Sequence, residues 1–96
     1  MGNSVIRKGV DLSTGHSPCF PPVPAIQASS NVFANKIGVV RNGDSYRIHC
    51  CGPSCHVGKA TGSSTVFANK KGITTRGRPI TCGDTSSNGS SNVRAG

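Results

Sequence analysis

The chain has no glutamate, no tryptophan, one leucine and three aspartates in 96 residues. With no Glu, and with three Asp spread along the chain, a carboxylate acid/base pair has little material. No Gly-x-Ser-x-Gly elbow, phosphate-cradling glycine loop or His-Glu-x-x-His stretch occurs, so the usual hydrolase, nucleotide and metalloprotease signatures are missing. No segment approaches the ~20 apolar residues of a membrane span. Met1 to Val10 carry Arg7 and Lys8 but no apolar run of a secretory signal. The start also misses the myristoylation pattern, because position 6 is Ile. The expectation is synthesis and assembly in a reducing cytosol, where five cysteines, an odd count, favour metal over disulfides.

Core-forming residues are scarce too. Leu, Ile, Val and Phe together number 19 of 96, at the roughly 20% level below which highly charged chains stay disordered. Residues 1–96 therefore make one small domain that needs a staple: a disulfide, a metal or a partner. Eleven Lys plus Arg against three Asp give a net charge near +8. Such a balance suits nucleic acid, anionic lipid or an acidic protein face, with plain solubility as the alternative.

What the chain does have is a repeat. Ser29-Ser30-Asn31-Val32-Phe33-Ala34-Asn35-Lys36-Ile37-Gly38 recurs 34 residues later as Ser63-Ser64-Thr65-Val66-Phe67-Ala68-Asn69-Lys70-Lys71-Gly72, with eight identities in ten positions. A truncated third copy, Ser90-Ser91-Asn92-Val93, closes the chain. The approximate repeat boundaries are 9–43, 44–77 and 78–96. Val-Phe-Ala reads as a short strand, and Asn-Lys-x-Gly as a turn with positive φ expected at Asn and Gly. The return arms Val39-Val40-Arg41 and Ile73-Thr74-Thr75-Arg76 are β-branched up to their arginine. With 13 Gly, 6 Pro and one Leu, nothing reads as helix, and the class is all-β. Pro18, Pro21, Pro22 and Pro24 mark an extended loop.

A second series runs in phase with the first. His16 follows Asp11 by five residues and His49 follows Asp44 by five, while Cys82 lies four residues after Arg78, the repeat equivalent of Asp44. His56 is the remaining histidine. His16, His49, His56 and Cys82 make a four-coordinate set suited to a structural Zn²⁺, one per chain, with iron as the competitor. Cys82 is chosen as the thiolate because it alone occupies the repeat-equivalent position. Cys19, Cys50, Cys51 and Cys55 compete for that role, and are otherwise weakly polar core fillers or adventitious thiols. A zinc with four protein ligands has no open position for water, so no enzyme is expected.

The two Ser-Ser-x-Val-Phe-Ala-Asn-Lys hairpins, Gly43-Asp44, Cys55-His56-Val57-Gly58 and Thr81-Cys82-Gly83 together resemble PAAR-repeat proteins over roughly Gly9 to Val93. The stretch Ile48 to His56 is most similar to members found in phage tails. The Pro-Ala-Ala-Arg stretch itself is degenerate here, and Arg78 stands where Asp is expected. The resemblance implies a sharp conical β structure with a zinc near its apex, held by His16, His49, His56 and Cys82. It also implies a broad base seated on the blunt end of a trimeric β-helical spike, in a virion or a type VI-like secretion system, and transient contact with a target membrane. One chain can cover a trimer's end by offering three similar surfaces, so Ser29, Ser30 and Val32, Ser63, Ser64 and Val66, and Ser90, Ser91 and Val93 are the expected spike contacts, one tip chain per trimer. A zinc-stabilised nucleic-acid module is the alternative. It is weakened by having only four aromatics and scattered basic residues, and no nucleic acid is expected. A secreted disulfide peptide is the third reading.

Overall fold

The structure is a computed structural model that describes residues 3–15 and 20–95. Among those residues there is no helix. Eight very short strands form four antiparallel pairs: β1 (Asn3–Ser4) with β8 (Arg94–Ala95), β2 (Phe33–Ala34) with β3 (Ile37–Gly38), β4 (His49–Cys51) with β5 (Ser54–His56), and β6 (Phe67–Ala68) with β7 (Lys71–Gly72).

The repeated decapeptides form the hairpins β2–β3 and β6–β7, with Phe33 opposite Gly38 and Phe67 opposite Gly72. Each turn has two central residues, both at positive φ: Asn35 at 53° and Lys36 at 68°, Asn69 at 53° and Lys70 at 66°. This is the I′ geometry that matches strand twist. The left-handed residues are thus Asn and Lys, not Asn and Gly as expected. Gly38 and Gly72 are required for a different reason: a Cβ on either would run into the carbonyl oxygen of Ser29 or Ser63 respectively. The truncated third copy is completed from the other end of the chain, because Asn3 pairs with Ala95 and Ser4 with Arg94.

Three extended segments leave these hairpins and close on one another. Ile6 N–H donates to Thr74 C=O, Thr74 N–H to Val40 C=O and Val40 N–H to Ile6 C=O, at 3.0, 2.9 and 3.0 Å. The bridges Val5 to Thr75, Arg7 to Val39 and Arg41 to Ile73 complete the same ring. The three copies are therefore related by a pseudo-threefold arrangement built from one chain. Alternation along an extended strand sends successive side chains to opposite faces. On the hairpin side, Val5, Val39 and Ile73 pack with Ala34, Ala68 and Ala95, flanked by Val32, Val66 and Val93. On the other side, Ile6 and Val40 join Val23, Ala25, Tyr46, Ala60 and Ile80. Thr74, fully buried in the third equivalent position, donates its hydroxyl to the Thr61 carbonyl.

Around that second cluster the bridges 12–24, 25–46, 45–59, 60–80, 79–85 and 86–13 form another closed circuit of short extended segments. Closure leaves these segments no free edge. Asp11 and Asp44 cap the turns between the rings. Each carboxylate takes the backbone N–H of its arginine and is bridged by the guanidinium, at 2.8 Å for Arg7–Asp11 and 2.9 Å for Arg41–Asp44. At the third corner the pairing is inverted. Thr75 takes the arginine's place, and Arg78, in the aspartate's, donates to Thr75 Oγ1 at 3.4 Å, so no ion pair forms there. The molecule is elongated, 38 × 24 × 23 Å.

A lysine at positive φ costs more than glycine, by about 1–2 kcal/mol for the conformation, less about 0.5–1 kcal/mol for glycine's greater unfolded-state freedom. Lys36→Gly and Lys70→Gly are each expected to stabilise the fold by about 0.5–1 kcal/mol, read as a higher midpoint in denaturant titration. A lower midpoint in both variants would show that these lysines contribute more than their turns cost.

Candidate metal centre

The hairpin β4–β5 is the local device that gathers the ligands. Its two-residue turn, Gly52-Pro53, has Gly52 at φ 61°. Its register sets His49 opposite His56, Cys50 opposite Cys55 and Cys51 opposite Ser54. Directly opposed residues share a face, so the two imidazoles lie together, with ring centroids 4.6 Å apart in edge contact. The next rung points the other way, and there Cys50 and Cys55 form a disulfide with Cα atoms 4.1 Å apart.

The third donor comes from the loop after Ile80. Cys82 packs against the second core cluster and brings its Sγ to 3.8 Å from His49 Nε2. The donor atoms of His49, His56 and Cys82 all lie within 4.8 Å of one another, a group able to hold a metal ion. A tetrahedral zinc with Zn–S about 2.3 Å and Zn–N about 2.1 Å holds sulfur and nitrogen about 3.6 Å apart, so the observed spacing suits shared coordination. Gly58 makes room for the thiol and for the core residue before it: a Cβ there would stand 2.5 Å from Ile80 Cγ2 and 2.6 Å from Cys82 Sγ.

The surroundings orient these donors. His49 is buried, and its Nδ1 contacts the Pro21 carbonyl at 2.9 Å. A carbonyl only accepts, so Nδ1 carries the proton and Nε2 presents its lone pair toward Cys82. The buried carboxylate of Asp84 stands 4.0 Å from the same Nδ1. Phe20 stacks on His56 with centroids 4.2 Å apart, and lies 5.0 Å from the ring of His49. The phenyl thereby shields one side of both imidazoles. Deeper in, burial pushes the Tyr46 phenol up from its ordinary value, with Asp11 and Asp84 adding to the effect, so it stays a neutral hydroxyl.

Of the expected ligands, the structure brings together His49, His56 and Cys82, while His16 lies outside the described residues, as does Cys19. The expectation of thiols rather than disulfides is corrected: Cys50 and Cys55 are bonded to each other and Cys51 is also disulfide-bonded. Cys82 is the free cysteine among the described residues. Nor are Cys50 and Cys55 core fillers, since both are exposed; the antiparallel register decides their pairing. Phe20, Asp84 and the Pro21 carbonyl were not singled out from sequence. The closeness of Asp84 to Cys82 along the chain is the one sequence signal that could have pointed to it.

The expected partner contacts fall at the hairpin end. Ser29, Ser63 and Ser90 are buried, and their hydroxyls accept from the backbone N–H of Val32, Val66 and Val93. Ser29 also donates to Asn69 Oδ1, and Ser90 to Asn35 Oδ1, which locks two of the three copies to a neighbour's turn, whereas the Ser63 hydroxyl meets Thr65 Oγ1 of its own copy. Val32, Val66 and Val93 are half-buried against the molecule's own core, while Ser30, Ser64 and Ser91 are exposed. Neither a scan against protein-family models nor a search of curated proteins returns a match for this chain.

Two outcomes test the donor set. Cys82→Ser is expected to lower metal content measured by elemental analysis at least ten-fold, while the double variant Cys50→Ser, Cys55→Ser keeps it. Gly58→Ala is expected to act like a milder ligand loss, weakening metal affinity about 10–100-fold by displacing the thiol. Unchanged affinity in that variant would mean that the loop carrying Cys82 yields freely.

Proposed function

We propose that this chain is the non-enzymatic tip of a contractile injection spike, capping the end of a trimeric β-helical protein and sharpening it for passage through a target membrane. The observation that carries the reading is the closed ring through Ile6, Val40 and Thr74, which lets a single chain present threefold-like faces. A cap of this kind has to match a symmetric trimer at one end and come to a point at the other. Its hairpins lie on one side of the ring, and the His49–His56–Cys82 group on the side of the second cluster. The resemblance to PAAR-repeat proteins leads to the same assignment.

In this reading the metal is a structural Zn²⁺, with His16 as the fourth ligand by its phase in the repeat. Imidazole and thiolate are the donors zinc favours, and a site that forms only in the folded chain adds its binding free energy to folding. A tip with little apolar core needs that reinforcement. Zinc supplies rigidity here rather than an activated water. The chain's own residues support it: Pro21 fixes the His49 tautomer and Phe20 covers the rings. The tip travels in a phage virion, or in a related secretion machine, and meets the membrane only during injection.

The test is stoichiometric. Mixed with the trimeric spike protein of its own source, the chain is expected to form a complex of one tip per three spike chains, read by light scattering coupled to size-exclusion chromatography. A complex of three tips per trimer would defeat the capping geometry, as would no complex at all.

A further inference from the structure

The chain's three carboxylate side chains, Asp11, Asp44 and Asp84, are all buried, at 1%, 2% and 2% exposure. Two are bridged to Arg7 and Arg41, and the third stands beside His49. The sequence holds no Glu, so the surface bears no acidic side chain. Its cations are unevenly placed. Lys36 and Lys70 stand in the two repeat turns, Lys71 in β7 and Arg94 in β8, all exposed. Lys8 and Arg76 are exposed too, and their backbone N–H groups donate to Gly38 and Ser4 of the adjoining hairpins. On the far side of the ring the exposed cations are Arg47 and Lys59.

We propose that the hairpin end docks onto an acidic protein face, so that the blunt end of the spike presents carboxylates around its axis opposite Lys36, Lys70 and Arg94. This deepens the capping reading and rests on it. Like charges facing one another across an interface are costly, and an end whose charged side chains are all cationic, set beside the exposed Phe33 and Phe67, is complemented by a face that carries carboxylates. The placement favours a protein over a nucleic acid. A nucleic-acid strand needs a continuous basic groove to follow. These cations instead sit on separate hairpins around a pseudo-threefold axis, and no pocket is present among the described residues. Burying every acid also keeps the docking end free of local salt bridges that would divert its lysines.

The experiment uses the zinc-loaded chain and the spike trimer of its own source. Lys36→Asn with Lys70→Asn removes two turn charges with a residue that tolerates positive φ. Arg47→Gln with Lys59→Gln removes two charges from the other half as a matched control. Folding of each is checked by metal content and by the denaturant midpoint. The turn variant is expected to associate about ten-fold more slowly at low salt and to lose much of the salt dependence of association, as weakened electrostatic steering requires. The control is expected to change less than two-fold. If the trimer binds one tip but the turn variant matches the control, the acidic face is wrong and capping stands. If the trimer does not bind, both fall. Tighter binding of the native chain to a single-stranded oligonucleotide than to the trimer would overturn the protein assignment in favour of nucleic acid.

Discussion

Backbone closure is the constraint on which this molecule depends. The side chains that could form a conventional core are few, and many are alanine or valine, so burial of apolar area alone gives limited stabilisation. The main chain compensates by closing on itself twice, once through Ile6, Val40 and Thr74 and again through the six segments around Tyr46. Each closed circuit satisfies donors and acceptors that an open sheet of such short strands would leave to solvent. Side-chain locks then fix the copies relative to one another: Asn35 accepts from Ser90 and Arg7, and Asn69 from Ser29 and Arg41. In each case a residue needed for a left-handed turn doubles as the link to the next copy.

The hairpins were legible because their signal is local. The strand and turn residues lie within one decapeptide and the β-branched arm follows it directly, so nothing distant has to be known to read them. Completion of the third copy by Asn3 and Ser4 was not legible, because it joins opposite ends of the chain. The misplaced positive φ has a similar cause. Gly38 and Gly72 looked like turn glycines by composition, but the packing of Ser29 and Ser63 against them supplies the reason for glycine there.

The metal donors show the same division. Repeat phase singled out His49 and Cys82, and their juxtaposition follows from two copies of one layout meeting near the axis. Phase is silent about oxidation state. Cys50 and Cys55 pair because an antiparallel register places them directly opposite on the face away from the histidines, and that register follows from the Gly52-Pro53 turn. One short hairpin thus does two things: its inner face aligns His49 with His56, and its outer face is cross-linked to hold that alignment. The supporting groups, Phe20 and Asp84, reach the site from separate loops and left no periodic trace.

In the proposed zinc site, the departure from threefold symmetry at this end has a coordination-chemical reason. Three equivalent positions around an axis supply three donors at most, and a closed tetrahedral site needs four. By phase the three copies would contribute His16, His49 and Cys82 to the proposed zinc site, which leaves the fourth donor to a residue outside that phase. The hairpin β4–β5 of the second repeat supplies it, because its return strand sets His56 opposite His49. At the hairpin end the three copies stay near-equivalent, through the same Ser-to-Val caps and the same inward Ala34, Ala68 and Ala95. In the capping proposal a repeated partner surface has to be met there, whereas at the other end a single ion would be enclosed. The two ends thus obey different symmetries, and the ring through Ile6, Val40 and Thr74 is the boundary between them.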